Sequence, residues 1–438
     1  METPVSLHMA AQKLLRSKDA EGALRIVGPM LENNPADLTA WRTAALATFD
    51  IGDQKTALKN LSSIVLALAE DRNPILAIAC AKEIESLGGD ISTLIEQLSA
   101  LYGKGSRRLE ESELAPPPLP QDVDVRPWGD EVIYDHVLSM ATDAMAMAWG
   151  ASLILSKKEQ MLPYIPLFSA LEPGDFQDLV ASMVRLPVQE DEVIIKQGVT
   201  GDAMYIVAEG SVVVSHISDA GERMDLAKLG PGAFFGEMAL VSSTLRTAEV
   251  RAINNTVLLK ANKADLEQLV QRAPGIGDVL IAFCHARMLE NLIRVSPVLA
   301  PVPPAKRAEL IARFGTDYRK AGDVIIEQGT EGPGLFLVVS GGVSVTKEVG
   351  SENIHVASLK SGDLFGEISL LMRKPSTATV TASQNTALLV LSRDEFTNVT
   401  SEFPEILKGA YDIAVEREVK NNSILGQAYQ DASDLILI

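Results

Sequence analysis

One unusual segment is written twice in this chain. FGEMALVSSTLRTAEV runs from Phe235 to Val250, and FGEISLLMRKPSTATV runs from Phe365 to Val380. The repeat extends upstream, where Gln197-Gly198-x-x-Gly201 matches Gln328-Gly329-x-x-Gly332. Tyr205 likewise matches Phe336, Gly210 matches Gly341 and Val212 matches Val343, all at an offset of 131. From Phe235 onward the offset is 130, so the copies differ by one residue in the loop between. A duplication of this extent requires two copies of one fold, and 438 residues exceed a single ordinary core.

The local pattern inside each copy is β. EVIIKQG, MYIVAEGSVVVSHI and MDLAKLGPG read as short strands parted by glycine turns, with DVIIEQG, LFLVVSGGVSVTKEV and HVASLKSGD as counterparts. Short strands with Gly corners predict a small barrel or jelly roll, and helical stretches follow each copy. Residues 5–102 read instead as helices joined by short turns. Asp19-x-x-x-Ala23-Leu24 recurs as Asp53-x-x-x-Ala57-Leu58, an offset of 34 that Ala11, Ala45 and Ala79 share. That period, with Trp41 early in its helix and Pro35 between units, resembles a tetratricopeptide repeat, which implies a concave face for a protein partner. The charged stretch 103–130, with Pro116, Pro117, Pro118 and Pro120, reads as an extended spacer.

At the FGE segments the two copies resemble cyclic nucleotide-binding domains. The fold class expected is multidomain α+β: an N-terminal helical repeat, then two β-roll or jelly-roll barrels with flanking helices. The expected domains are 1–103 (helical repeat), 104–130 (linker), 131–295 (first barrel with a leading helix) and 296–438 (second barrel with C-terminal helices).

The residues suit the chemistry that the resemblance implies. Gly236 lets backbone approach a phosphate without a Cβ in the way. A short helix starting near Glu237 aims free N–H groups at the anion. Arg246 adds a charge-assisted contact to phosphate oxygens, and Glu237 accepts from the ribose 2′-hydroxyl. The expected ligand-binding set is Phe235, Gly236, Glu237, Met238, Ala239, Arg246, Thr247 and Ala248. In the family, a hydroxyl residue directly after the Arg favours cGMP, but members with Thr there also bind cAMP, so both ligands stay open.

At the position of the Arg, the copies depart from one another in charge. The second keeps Phe365, Gly366, Glu367, Pro375, Thr377 and Ala378, with Ile368 and Ser369 completing the expected second site, but Ser376 stands where the first has Arg246. Removing one partner of a buried charge contact costs about 2–5 kcal/mol, or roughly 30-fold to several thousand-fold in affinity. The second site is therefore expected to be weak, empty or kept for another ligand, with Arg373 or Lys374 as nearby substitutes. Glu249, three residues after the Arg, is expected to face solvent along its strand.

Composition removes other classes. A net charge of −19 argues against a general grip on nucleic acid or an anionic membrane surface. Cys80 and Cys284 fit neither a disulfide framework nor a metal spacing, which with the absence of a signal-like N-terminus points to the cytoplasm. The five histidines (His8, His136, His216, His285, His355) are scattered, and no catalytic constellation appears. The chain is thus expected to be no enzyme, to need no cofactor beyond a cAMP or cGMP ligand, and to bind a protein through its helical repeats. Two alternatives remain: a ligand-free scaffold, and a kinase-type regulatory subunit. The latter needs an inhibitor segment, which Arg107-Arg108-Leu109-Glu110 does not fit.

Overall fold

The computed structural model describes the chain except residues 1–3, 111–124, 130, 156–160, 218–222, 238–245, 247, 281–282, 284–297, 300–301, 304–305, 307–308, 311, 351, 361 and 436–438. Met238, Ala239, Thr247, Cys284 and the four linker prolines lie outside the described residues. The chain divides into two compact units, Met1–Phe283 and Cys284–Ile438.

The first unit begins with helices α1 (Pro4–Arg16), α2 (Ala20–Asn33), α3 (Leu38–Ile51), α4 (Gln54–Glu70), α5 (Pro74–Ser86) and α6 (Ser92–Tyr102), each packed on the next. The 34-residue period has a local cause. Asp19 caps α2 by accepting from the Gly22 N–H, and Asp53 caps α4 by accepting from the Thr56 N–H. Four residues on, Ala23 and Ala57 are fully buried, as are Ala11 and Ala45, so small side chains let the helices approach. Trp41 fills the interior and donates from Nε1 to Asn60 Oδ1 at 2.8 Å.

Strands β1 (Leu109–Glu110) and β2 (Leu162–Pro163) pair in parallel. Between them runs α7 (Tyr134–Leu155), which packs on α2, α3 and α4. The approach to α7 is tied down too: the Trp128 N–H donates to Arg25 O, and Arg25 donates to Gly129 O and Val132 O. Helices α8 (Pro166–Ser169) and α9 (Pro173–Ser182) lead into the first barrel.

That barrel comprises β3 (Val184–Val188), β4 (Val193–Ile195), β5 (Ala203–Glu209), β6 (Val212–Ile217), β7 (Arg223–Leu229), β8 (Phe234–Phe235), β9 (Glu249–Ala252) and β10 (Thr256–Asn262), followed by α10 (Lys263–Arg272). Two antiparallel four-stranded sheets result, ordered β3-β10-β5-β8 and β4-β9-β6-β7. The second unit repeats this with β11 (Gly315–Arg319), β12 (Val324–Ile326), β13 (Gly334–Ser340), β14 (Gly342–Val349), β15 (Glu352–Lys360), β16 (Leu364–Phe365), β17 (Thr379–Ala382) and β18 (Thr386–Ser392). Its sheets are ordered β11-β18-β13-β16 and β12-β17-β14-β15, the same topology strand for strand. Helices α11 (Glu367–Leu371), α12 (Arg393–Glu402) and α13 (Pro404–Leu435) complete the unit.

Equivalent residues build the two cores. Ile195, Tyr205, Val207, Val212, Phe235, Val250 and Leu258 form the first, and Ile326, Phe336, Val338, Val343, Phe365, Val380 and Leu388 the second. The repeated glutamines clamp neighbouring strands: Gln197 donates to Ile217 O and accepts from its N–H, as Gln328 does with Glu348.

Candidate functional site

Strand β8 brings Phe235 to the end of the first barrel, where its ring stacks on Tyr205 at 5.1 Å between centroids. The chain then turns through Gly236 at φ +79°. A Cβ there would stand 3.0 Å from Arg246 Nη1 and 3.1 Å from Ala203 O, so backbone and cation meet only because glycine is present. Glu237 follows, 3% exposed.

Arg246 lies against this turn. Its Nη1 donates to Gly236 O at 2.8 Å and its Nη2 to Ala203 O at 2.6 Å. Its own backbone is fixed by a reciprocal pair, Gly198 N–H to Arg246 O and Arg246 N–H to Val199 O, both 2.8 Å. Burial holds the Arg246 pKa below its ordinary value, against the pull of Tyr205, Asp202 and Glu237. A half-buried cation in that position gains from an incoming anion, and two carbonyls occupy only part of its five-donor fork. Phe235, Gly236, Glu237 and Arg246 are thus brought together, with Ala248 half-buried just beyond.

Glu249 departs from expectation. It is buried rather than solvent-facing, and it pairs with Arg251 at 3.0 Å and Arg223 at 3.7 Å. Its place on β9, which lies between β4 and β6, turns the carboxylate toward basic neighbours instead of water.

The second barrel repeats the frame with different chemistry. Phe365 stacks on Phe336 at 4.8 Å, and Gly366 turns at φ +90°. Ser376 is held by the same backbone pair, Gly329 N–H to Ser376 O and Ser376 N–H to Thr330 O, both 2.8 Å. Its Cα position is therefore that of Arg246, without the cation. Arg373 and Lys374, the nearby substitutes, are exposed, as is Thr377, while Ile368 is half-buried and Ser369 buried.

Sequence reasoning missed Arg417. From α13 it donates from Nη1 to Glu367 Oε1 at 2.9 Å and to Leu364 O at 2.5 Å. Glu367 is 2% exposed, so the glutamate kept by the second copy is already ion-paired within its own unit. Fifty residues of sequence separate the partners, and no spacing rule links them.

Among the described residues no His, Cys, Asp or Glu group is arranged to hold a metal. Nor is any described helix long and apolar enough to cross a membrane.

Residues 185–273 and 317–403 each match the family model of the cyclic nucleotide-binding domain. The chain is 28% identical over 241 residues to the human cGMP-dependent protein kinase 2, covering 54% of this chain and 30% of the kinase. It is 29% identical over 254 residues to a cAMP-dependent protein kinase regulatory subunit of Aspergillus fumigatus, covering 56% of this chain and 59% of the subunit. It thus spans less than two thirds of the length of either relative. Among solved structures, the regulatory domain of Toxoplasma gondii PKA with cAMP is similar at 24% identity and a TM-score of 0.28, covering 58% of this chain and 92% of that one. With two matched segments on two barrels of one topology, this chain carries tandem cyclic nucleotide-binding domains, as cAMP-dependent protein kinase regulatory subunits do.

Proposed function

We propose that the chain is a non-enzymatic, cytoplasmic signalling adaptor whose first barrel binds cAMP or cGMP. The observation that carries this is Arg246, held beside the Gly236 turn and buried Glu237 by two backbone carbonyls. That arrangement offers a cation to a cyclic phosphate and a carboxylate to a ribose hydroxyl within one turn of chain. The ligand takes up Arg246 and thereby alters its hold on Ala203 at the start of β5, a strand that ends at Glu209 against the helical domain. The helical domain, a tetratricopeptide-like array in this reading, selects a protein partner. The domain limits are those drawn from the sequence, and the second barrel binds cyclic nucleotide weakly.

A kinase-type regulatory role is less well supported. Arg108 is engaged by Glu70 through both terminal guanidinium nitrogens, at 3.0 and 2.7 Å, and Leu109–Glu110 is a strand, so Arg108 is not displayed as part of an inhibitor segment.

Calorimetric titration of the full chain with cAMP and cGMP tests the reading. Arg246→Ala is expected to weaken binding roughly 30-fold or more. Binding that is indifferent to this change, or absent from the unaltered protein, overturns it.

A further inference from the structure

We propose that Glu209 and Arg42 are positioning residues for the nucleotide site of the first barrel, so that the helical domain sets how tightly that barrel binds its ligand. This rests on reading the first barrel as a cyclic nucleotide site, and it concerns what holds Arg246 in place there.

The joint between helices and barrel is built to stay closed. Every residue of α5 from Pro74 to Ile84 is buried. A surface helix keeps a polar stripe toward water, whereas one buried on all sides has neighbours on all sides. Helices α4 and α6 pack on α5, and β3, β5 and β10 of the first barrel lie against it as well. The helical domain is therefore a wall of the barrel, within one compact unit.

Two guanidiniums hold opposite ends of one strand. β5 runs for seven residues, about 20 Å, and is buried from Ala203 to Ala208. At its first residue, Ala203 O accepts from Arg246 Nη2 at 2.6 Å. At its last, Glu209 Oε2 accepts from Arg42 Nη1 at 2.9 Å. Between these ends, Tyr205 and Ile206 pair with Phe235 and Phe234 of β8, the strand that delivers the Gly236 turn. One strand thus carries the carbonyl that steadies the cation and places the turn beside it.

Arg42 is anchored in its own domain, since its Nε donates to Glu83 at 2.9 Å, and Glu83 pairs with Arg185 on β3 at 2.8 Å. Glu209 itself keeps 35% of its side chain exposed. An ion pair that open to water adds little to stability, yet its charge-assisted bond still fixes where the strand ends. Cutting it leaves Ala203 O free to move off Arg246, and the cation must then be ordered as the ligand arrives, which costs affinity. The duplication agrees. The copy with Ser376 in place of the arginine also lacks the tether, with Ser340 and Thr316 where the first has Glu209 and Arg185.

The test titrates the full chain calorimetrically with cAMP and cGMP. Glu209→Gln is expected to weaken binding about fivefold, and so is Arg42→Lys, whose single ammonium lacks the fork that reaches two carboxylates. The double variant should bind no more weakly than either single one, because both cut one tether. Glu70→Gln, which removes the partner of Arg108 elsewhere in the same unit, controls for general loosening and should bind within about twofold of the unaltered protein. The proposal is overturned if Glu209→Gln binds as tightly as the unaltered chain, if the two single changes add, or if Glu70→Gln weakens binding as much. A chain that binds neither cAMP nor cGMP overturns the first-barrel reading, and this inference with it. Binding that is lost in Arg246→Ala yet unmoved by Glu209→Gln overturns the inference alone.

Discussion

Replacing Glu83 by Ala should break the joint between the helical domain and the first barrel. Glu83, on α5, is buried and accepts from Arg42 Nε at 2.9 Å and pairs with Arg185 Nη2 on β3 at 2.8 Å. Arg42 also reaches Glu209 on β5 at 2.9 Å, so two carboxylates and two guanidiniums form one network. Burial raises the Glu83 pKa, but Arg42 and Arg185 outweigh it and hold the carboxyl below its ordinary value. Burial likewise opposes the Arg42 charge, while Cys80, Glu83 and Glu209 raise its pKa well above the ordinary value. Removing Glu83 strands Arg185 and leaves Arg42 only Glu209. Breaking a buried pair on one side costs about 3–5 kcal/mol. For a unit of this size that corresponds to a fall in melting temperature of roughly 5–8 °C. Urea unfolding followed by circular dichroism, with Glu83→Gln as the milder comparison, measures the loss. A cost for Glu83→Ala below about 1 kcal/mol would refute the view that this network joins the two parts.

The same carboxylate sets an acid limit. Because its folded pKa lies below the unfolded value, its stabilisation is complete above the ordinary carboxylate range and is lost as pH falls through the lowered value. An acid titration should show less of this loss in Glu83→Gln than in the unaltered protein. Burial pushes the Cys80 thiol up to about 11, so peptide mapping should find Cys80 unmodified by a maleimide until the first unit unfolds. Gly366→Ala adds a Cβ that collides with the Gly334 carbonyl at φ +90°, and should cost about 1–3 kcal/mol in denaturant unfolding. An unchanged midpoint would show that this turn adapts without strain.

The barrels were legible in the sequence because their signals are local. Glycines at matched offsets, β-branched runs and the FGE segment each fix a turn or strand within a few residues, and the equivalent cores followed from that register. The 34-residue recurrence of Asp19 and Asp53 was legible for the same reason, while their capping of α2 and α4 emerged only in the structure. Contacts that depend on docking faces were not. Arg417 meets Glu367 because α13 packs on α11, and Glu83 meets Arg185 because α5 lies against β3. Glu249 was misread because Arg251, two residues along its own strand, and Arg223 on β7 cover a carboxylate that the strand's alternation alone places at the surface. Ser369 donates to the Gly366 carbonyl at 3.0 Å, a role visible only once that carbonyl was seen without an arginine.

The central claim is that two barrels of one topology have unequal chemistry, one with an arginine at position 246 and one with a serine at the matching position 376. The stoichiometry of cyclic nucleotide binding to the full chain tests it most directly. Saturating calorimetric titration with cAMP or cGMP should give one tight site per chain, and none in Arg246→Ala. Two sites of equal affinity, or one that survives Arg246→Ala, would contradict it.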